Sequence, residues 1–526
     1  MKRACKIVLS LLLVLAVLCG CQSGQQPDAP SGGQAAEDSV VIALDTNSEP
    51  EAGFDPAYGW GAGEHVHEPL IQSTLTVTDA GLNIGYDLAT GYSVSDDGLT
   101  WTVTIRDDVS FTDGEPLTAE DVAFTYNTVK EASSVNDFTM LDYAEAVDDT
   151  TVLFHMTTPF SIWPYTMAIV GIVPEHAYDS ATYGANPIGS GRYLLKQWDR
   201  GQQVILEANP DYYGEAPKMK RVTILFMEED AAFLAAQAGQ VDVAYTSATY
   251  SDQAVDGYTL ASYRTVDNRG FNLPAVPAGT DANGRAVGND FTADVRVRRA
   301  INIGIDRQEM IDNVLNGYGT PAYSICDQLP WYNPASEVAY DPEGAAALLD
   351  EAGWTDYDEN GVRTTVRADT GKLARMHLRF YVYEEQENSV RVEVANRIAD
   401  ALMQVGIECK VETLTYKEAR DKLKAGSYDL CLAAFNIDFT PDPGYLLISG
   451  NNCNYMRYKS TEMDNLFKTL RAAQEESAYR AALQSIQTLF WNDCPFVCLY
   501  YRNGSVLTRK MFTDARDVRE PEVLRG

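Results

Sequence analysis

From Trp101 to Arg106 every second residue is large or β-branched, the period-two pattern of a half-buried strand. Asp113-Gly114 supplies a turn. Thr118 is then a good helix N-cap with Asp121 three residues on, a variant of the capping box, and Ala119, Val122, Ala123, Tyr126 and Val129 recur at helical spacing. The pattern predicts a strand, a turn and a helix starting at Thr118. Later in the chain it alternates more regularly: strand at Leu378–Tyr383, helix at Ser389–Val405, strand at Ile407–Leu414, helix at Tyr416–Ala425, strand at Tyr428–Asn436. Gly406 and Gly426 stand where a helix ends in the left-handed conformation. Strands joined through helices predict an α/β fold with a mostly parallel sheet covered on both faces. Amphipathic helices near Thr461–Ala472 and Glu476–Asn492 follow.

The amino terminus has a different pattern. Met1 to Lys6 is basic, Ile7 to Val17 is an apolar run too short to span a bilayer comfortably, and Leu18-Cys19-Gly20-Cys21 is similar to a lipobox. Residues 1–20 are expected to be a signal peptide. The resemblance to bacterial lipoproteins implies cleavage before Cys21 and a diacylglycerol on that thiol, a membrane anchor without a span. Residues 21–38, rich in Gly, Gln, Pro, Ala and Ser, read as a flexible tether.

About 500 residues remain, enough for two or three domains with substantial cores. The chain of 526 residues carries a formal charge of −34. That field disfavours nucleic acid and anionic lipid surfaces and favours cationic ligands, while also keeping an exported protein soluble. Six cysteines outside the leader, Cys326, Cys409, Cys431, Cys453, Cys494 and Cys498, permit disulfides but have no zinc-site spacing. Cys409 and Cys431 sit in apolar strand-like runs and read as buried thiols. Cys453 with Cys326, and Cys494 with Cys498, are weak disulfide candidates.

The segment GLTWTVTIRDDVSFTDGEPLTAEDVAFTYNTVK, from Gly98 to Lys130, closely resembles the signature of the extracytoplasmic solute-binding proteins of family 5, which serve peptide and nickel ABC importers. Further landmarks agree. Asn186-Pro-Ile-Gly-Ser-Gly-Arg-Tyr193 is similar to the family's glycine-rich turn before paired strands and an Asn-Pro-x-Tyr-Tyr segment, with Arg192 where proline is usual. A helix at Asp230–Ala238 and the run Val241–Tyr245 complete a first lobe. Gly270-Phe-Asn272 resembles the crossing strand, Pro274–Asp290 reads as an exposed loop, and AINIGIDRQEMIDNVLNGYGTPA and Asp341–Gly353 resemble later helices.

The resemblance implies an α/β, two-lobed periplasmic-binding-protein fold of the class II, cluster C type, with an extra subdomain in the first lobe and a two-crossing hinge. Lobe I is expected over residues 39–270, completed by about 497–526, and lobe II over 271–496, with Phe496–Tyr501 returning to the first lobe. Two crossings make a hinge with the ligand between lobes. The implied role is that of a monomeric, lipid-anchored receptor outside the cell membrane. It hands a peptide or small chelate to ABC permease subunits driven by a cytoplasmic ATPase, without nucleic acid and without a cofactor of its own; a lipid-anchored receptor or chaperone not coupled to import is the remoter alternative.

In peptide binders of the family an aspartate just before an Asp-Pro-like element pairs with the ligand's α-ammonium, and an aromatic three residues earlier lines the pocket. Asp438 and Phe435 match those positions; Asp442 reads as holding the turn before Pro443. Tyr58 and Trp60 are expected to cover the ligand. The arginine that grips a dipeptide's carboxylate is replaced by Glu385, with Arg379 and Arg391 nearby, so longer peptides fit better than dipeptides. A second reading rests on Glu64-His-Val-His67-Glu68, which holds two of five histidines. Imidazole and carboxylate suit Ni²⁺ or its chelates as transported ligand. On a helix Glu64, His65 and Glu68 would share a face and His67 would not, so all cannot bind one ion, and a polar helix end is an equal account. An enzyme is disfavoured: the sequence has no Gly-x-Ser-x-Gly elbow, His-Glu-x-x-His or Walker loop, and Asp107-Asp108 and Asp148-Asp149 read as solvated loops.

Overall fold

The computed structural model describes residues 38–50, 52–58, 69–79, 82–132, 138–246, 250, 252–265, 267–282, 284–327, 329–368, 370–383, 390–436, 442–451 and 453–509, with the side chains of residues 47, 263, 435, 436 and 476 excepted. Two large sheets organise it. One has seven strands in the order Tyr258–Tyr263, Gly504–Arg509, Val243–Thr246, Ser39–Leu44, Arg221–Phe226, Gln203–Ala208 and Tyr193–Asp199. The other has six: Gly319–Pro321, Phe496–Arg502, Asp267–Asn272, Leu430–Asn436, His377–Tyr383 and Glu408–Leu414. A four-stranded antiparallel sheet (Ala89–Val94, Thr100–Ile105, Thr151–Met156, Leu141–Asp148) is inserted between the first two chain segments of the seven-stranded sheet. The helix Ala119–Ala132 packs against it.

The periodicity places this unit well. Ala119, Val122, Ala123, Tyr126 and Val129 are all buried, and Gly114 turns the chain with φ +96°. The capping arrangement is one-sided. Asp121 Oδ2 accepts from the Thr118 backbone N–H at 2.9 Å and from the Thr118 hydroxyl at 3.2 Å, so that hydroxyl is a donor rather than the expected acceptor. The other oxygen of Asp121 accepts from Glu175 N–H at 2.9 Å, which explains why a carboxylate is buried there.

In the six-stranded sheet the helices Val390–Gln404 and Tyr416–Ala425 join parallel strands, as the alternation predicts. Thr415 and Glu418 form a complete capping box, and Gly406 and Gly426 have φ +87° and +69°. The expectation of a mostly parallel sheet is corrected: His377–Tyr383 is parallel to both its neighbours, but Asp267–Asn272 is antiparallel to Leu430–Asn436 and to Phe496–Arg502. Those antiparallel strands belong to the crossings, which a helix-joined pattern does not encode. A second correction follows. Phe496–Arg502 stays in the six-stranded sheet, and the chain rejoins the seven-stranded sheet one strand later, at Gly504–Arg509. The stretch Pro274–Asp290 contains a small hairpin, Gly279–Thr280 with Ala286–Val287. Cys326, Cys409, Cys431, Cys453, Cys494 and Cys498 form no disulfide among the described residues. Among the described residues no helix is long and apolar enough to cross a membrane.

Buried arginines fix helix ends in the second half. Arg307, of the Ile-Asp-Arg-Gln-Glu element, donates from Nε to the carbonyls of Ala322 (2.8 Å) and Cys498 (3.0 Å) and from Nη1 to Asn302 (3.1 Å). Arg298 likewise donates to Asp493, Thr292 and Ala293 carbonyls. Asn302 and Asp493 lie in the last turns of Val295–Ile303 and Glu476–Asp493, whose carbonyls have no intrahelical donors, and the other acceptors lie in strand Phe496–Arg502 or in loops, so each guanidinium ties a helix end to its neighbours.

Candidate ligand cleft

The two sheets are connected where Tyr263 leads to Asp267 and Arg502 leads to Gly504. A polar cluster spans both crossings. Asp267 is 2% exposed, and its Oδ2 accepts from Arg269 Nη2 at 2.5 Å and Arg502 Nε at 3.2 Å. The Thr265 hydroxyl accepts from Asp267 N–H at 3.1 Å and donates to the Arg502 carbonyl. A carboxylate this deeply buried requires charged partners, and here they come from both crossing strands. Gly270 is needed for the same close approach. The strand register shifts between Arg269 and Gly270, and a Cβ at 270 would lie 2.2 Å from the Val497 carbonyl oxygen.

Parallel strands of both sheets end at this junction. Asn436, the last residue of Leu430–Asn436, lies opposite Asp267; Thr246, the last residue of Val243–Thr246, lies opposite Ser505. Open α/β sheets take ligands outside the carboxyl ends of their parallel strands, so the junction is the site the topology selects. Its described charges are of both signs: Arg269 and Arg502 on Asp267, and Glu229, which accepts from the Thr246 hydroxyl at 3.2 Å. Arg391 is 6% exposed, with its guanidinium carbon 4.2 Å above the Tyr383 ring. Burial raises the Tyr500 hydroxyl's pKa, Arg269, Arg391 and Arg502 oppose that rise, and Asp267 adds to it.

The predicted site residues are only partly brought together. The Phe435 backbone lies opposite Asn268, one position before the strand end that faces Asp267. Tyr58 is 40% exposed, in a turn held by Asp55, whose carboxylate accepts from Ala57 N–H at 2.9 Å and from the Tyr178 hydroxyl at 3.0 Å. Asp438, Trp60, His65, His67, Glu385 and Cys21, the predicted lipid acceptor, lie outside the described residues. Asp442 holds its turn as expected, accepting from Gly444 N–H at 2.7 Å, and pairs with Arg471 Nε at 2.6 Å. Arg379 is engaged elsewhere: its fork meets Asp429 at 2.9 and 3.2 Å. Among the described residues no group of three His, Cys, Asp or Glu is placed to hold a metal ion.

Sequence reasoning missed the cluster of Asp267, Arg269 and Arg502, although Asp267-x-Arg269 directly precedes the Gly-Phe-Asn landmark. It also missed Asp327. That carboxylate accepts from Tyr323 N–H at 2.5 Å and Ser324 N–H at 2.9 Å, and burial nevertheless raises its pKa to about 6. It anchors the turn before Trp331, whose ring meets Tyr165 at 6.1 Å.

Two α/β sheets joined by two crossings, with strand ends meeting between them, define a two-lobed α/β fold of the periplasmic-binding-protein class. The chain belongs to the bacterial extracellular solute-binding proteins of family 5, whose middle region it matches over residues 83–456. It is 31% identical over 495 residues to Protein XP55 of Streptomyces lividans, covering 90% of this chain and 84% of that one. It is 26% identical over 534 residues to the oligopeptide-binding protein AppA of Bacillus subtilis (strain 168), covering 96% of this chain and 94% of that protein. The structure of AppA from Bacillus subtilis in complex with a nonapeptide superposes with a TM-score of 0.69 at 25% identity, over 90% of this chain and 94% of that chain. NikZ from Campylobacter jejuni, in complex with Ni(L-His), superposes with a TM-score of 0.74 at 21% identity, over 90% of this chain and 95% of that chain, and shares the fold.

Proposed function

We propose that this protein is the lipid-anchored solute receptor of an ABC importer, closing on oligopeptides and delivering them to the permease. The observation that carries this reading is the meeting of parallel-strand ends from both sheets at a two-crossing junction. The nearly full-length similarity to an oligopeptide-binding protein supports the choice of ligand. Asp438 pairs with the peptide's α-ammonium and Phe435, Tyr58 and Trp60 cover its first residues. The peptide is held mainly along its backbone, as an added extended segment. The protein acts as a monomer and catalyses no reaction. Residues 1–20 are removed, Cys21 carries the lipid and residues 21–38 form the tether. Lobe I comprises about 39–270 with the chain from about 497 onward, its last strand at Gly504–Arg509, and lobe II the residues between.

Native mass spectrometry tests this on the chain from residue 22 onward, purified gently without chelators. A ladder of excess masses fitting short peptides supports peptide capture. One discrete adduct with a nickel isotope pattern overturns it and moves the site toward His65, His67 and Trp60. A binding peptide should also raise the melting temperature in step with its occupancy.

A further inference from the structure

The inserted part of the chain and the helix Thr461–Ala472 meet where Phe160, Ile162, Met463, Phe467 and Leu470 share one buried apolar cluster, and a polar contact lies beside it. Ser161 follows the strand Thr151–Met156, in the part of the chain inserted into the seven-stranded sheet; the helix lies between two strands of the six-stranded sheet. Ser161 donates its backbone N–H to the Arg471 carbonyl at 2.8 Å and its hydroxyl to the Leu470 carbonyl at 3.0 Å. Both acceptors are last-turn carbonyls: Leu470 also accepts the Ala473 N–H at 3.2 Å, whereas Arg471 takes its donor from Ser161. Gln474 extends the contact by donating to the Asp96 carbonyl at 3.0 Å.

The Arg471 side chain adds contacts on both sides. Its Nε lies 2.6 Å from Asp442 Oδ2, its guanidinium carbon is 5.4 Å from the centre of the Phe160 ring, and Asp442 is 8% exposed. Asp442 comes soon after Leu430–Asn436, the strand whose end faces Asp267. One residue thus touches the neighbouring lobe through its ring contact and its carbonyl, and the carboxyl-end loop of its own lobe through its Nε.

We infer that Ser161 and Arg471 form an interlobe latch: Ser161 caps the Thr461–Ala472 helix across the cleft when the lobes are closed, and the Asp442–Arg471 pair positions that helix end to receive it. The lobes are linked through two crossings, so opening them breaks the Ser161 bonds, separates Phe160 from the Arg471 guanidinium and leaves the Arg471 carbonyl to water. The latch concerns closure and does not depend on which solute is carried.

Amide exchange in the ligand-free full chain reads the latch directly, because the Ser161 N–H is one of its bonds. In the wild type the Ser161 amide should exchange at least tenfold more slowly than in an unfolded chain. Arg471→Gln should speed it at least fivefold and increase the radius of gyration in small-angle scattering, and Arg471→Lys should restore little because it lacks the Nε donor. The amides of Thr100–Ile105, within the lobe I sheet, should be unchanged. Should Arg471→Gln lose those core amides as well, Ser161→Ala decides, since it removes one cross-lobe bond and no buried packing. Unfolded-chain exchange at Ser161 in the wild type, or protection and radius unchanged in both variants, overturns the latch whatever the ligand proves to be.

Discussion

Asp267 and Arg502 stand on different crossings between the lobes, with the arginine Nε 3.2 Å from the aspartate Oδ2. Arg269 joins the same oxygen from the aspartate's own strand. Removing the carboxylate leaves two guanidinium groups facing each other at a buried point, which costs about 3–5 kcal/mol for a fully buried pair. Arg502 has a side chain 42% exposed, so part of that charge returns to water. Asp267→Asn is expected to lower unfolding stability by about 2–4 kcal/mol. Arg502→Ala, which leaves Arg269 in place, should cost about 1 kcal/mol or less. Urea unfolding of both variants checks the order; equal losses would mean that the two arginines do not share the carboxylate as described.

Arg363 closes two helices at once. It is 1% exposed, with Nε donating to the Val405 carbonyl at 2.8 Å, Nη2 to the Ala346 carbonyl at 3.2 Å and Nη1 to Asp350 Oδ1 at 2.5 Å. These acceptors belong to Pro342–Glu351 and to the turn after Val390–Gln404. Arg363→Ala removes all of these donors and leaves a cavity, so a loss of at least about 3 kcal/mol is expected. Arg363→Lys should rescue little of it, because an ammonium cannot reach three separated acceptors. Thermal unfolding of the two variants against wild type is the measurement.

Burial holds the Asp327 carboxyl at about 6, above its ordinary 3.8. Between these two values the folded chain binds more of this proton than the unfolded chain does. The group therefore makes stability fall as pH rises from about 4 to about 6, with its full cost present above 6. Two pKa units correspond to roughly 3 kcal/mol as an upper figure. Asp327→Asn keeps an acceptor for Ser324 and removes the titration. The wild-type minus variant difference in urea midpoint should slope downward across pH 4 to 6 and be flat from 7 to 8. A difference that is level throughout would show that the carboxyl titrates normally.

The sequence pattern located the α/β units because their information is local: alternation, a turn glycine, a cap. Tyr416–Ala425 and Thr461–Ala472 are found at their predicted bounds for that reason, each with its N-cap hydroxyl and its buried stripe. What was not legible is long-range. Phe496–Arg502 has the same apolar run whether it pairs with Asp267–Asn272 or with Val243–Thr246, and only the three-dimensional register decides. The family resemblance pointed to Gly270 as the crossing, and the contact a Cβ would make with Val497 gives the physical reason. Asp267 and Arg502 are 235 residues apart, so nothing in the local pattern joins them. Arg379 and Arg391 looked equivalent by position; one is committed to Asp429, and the other lies over Tyr383 beside the crossings.

Asp438 carries the most direct prediction about ligand. A carboxylate meeting a peptide's α-ammonium in a cleft shielded from water forms a charge-assisted hydrogen bond, and losing it costs about 1.5–3 kcal/mol. That corresponds to roughly ten- to hundredfold in affinity. Asp438→Ala should therefore weaken binding of a free-amino nonapeptide by that factor in titration calorimetry. The same peptide with an acetylated amino terminus has no charge to offer, and its affinity should be nearly the same for wild type and variant. Wild type should also prefer the free amine over the acetylated form. The double comparison separates recognition from damage to the fold, because damage weakens both peptides alike. Equal binding of the free-amino peptide by wild type and variant would remove Asp438 from the site, leaving the amino end to be held by another group at the strand ends.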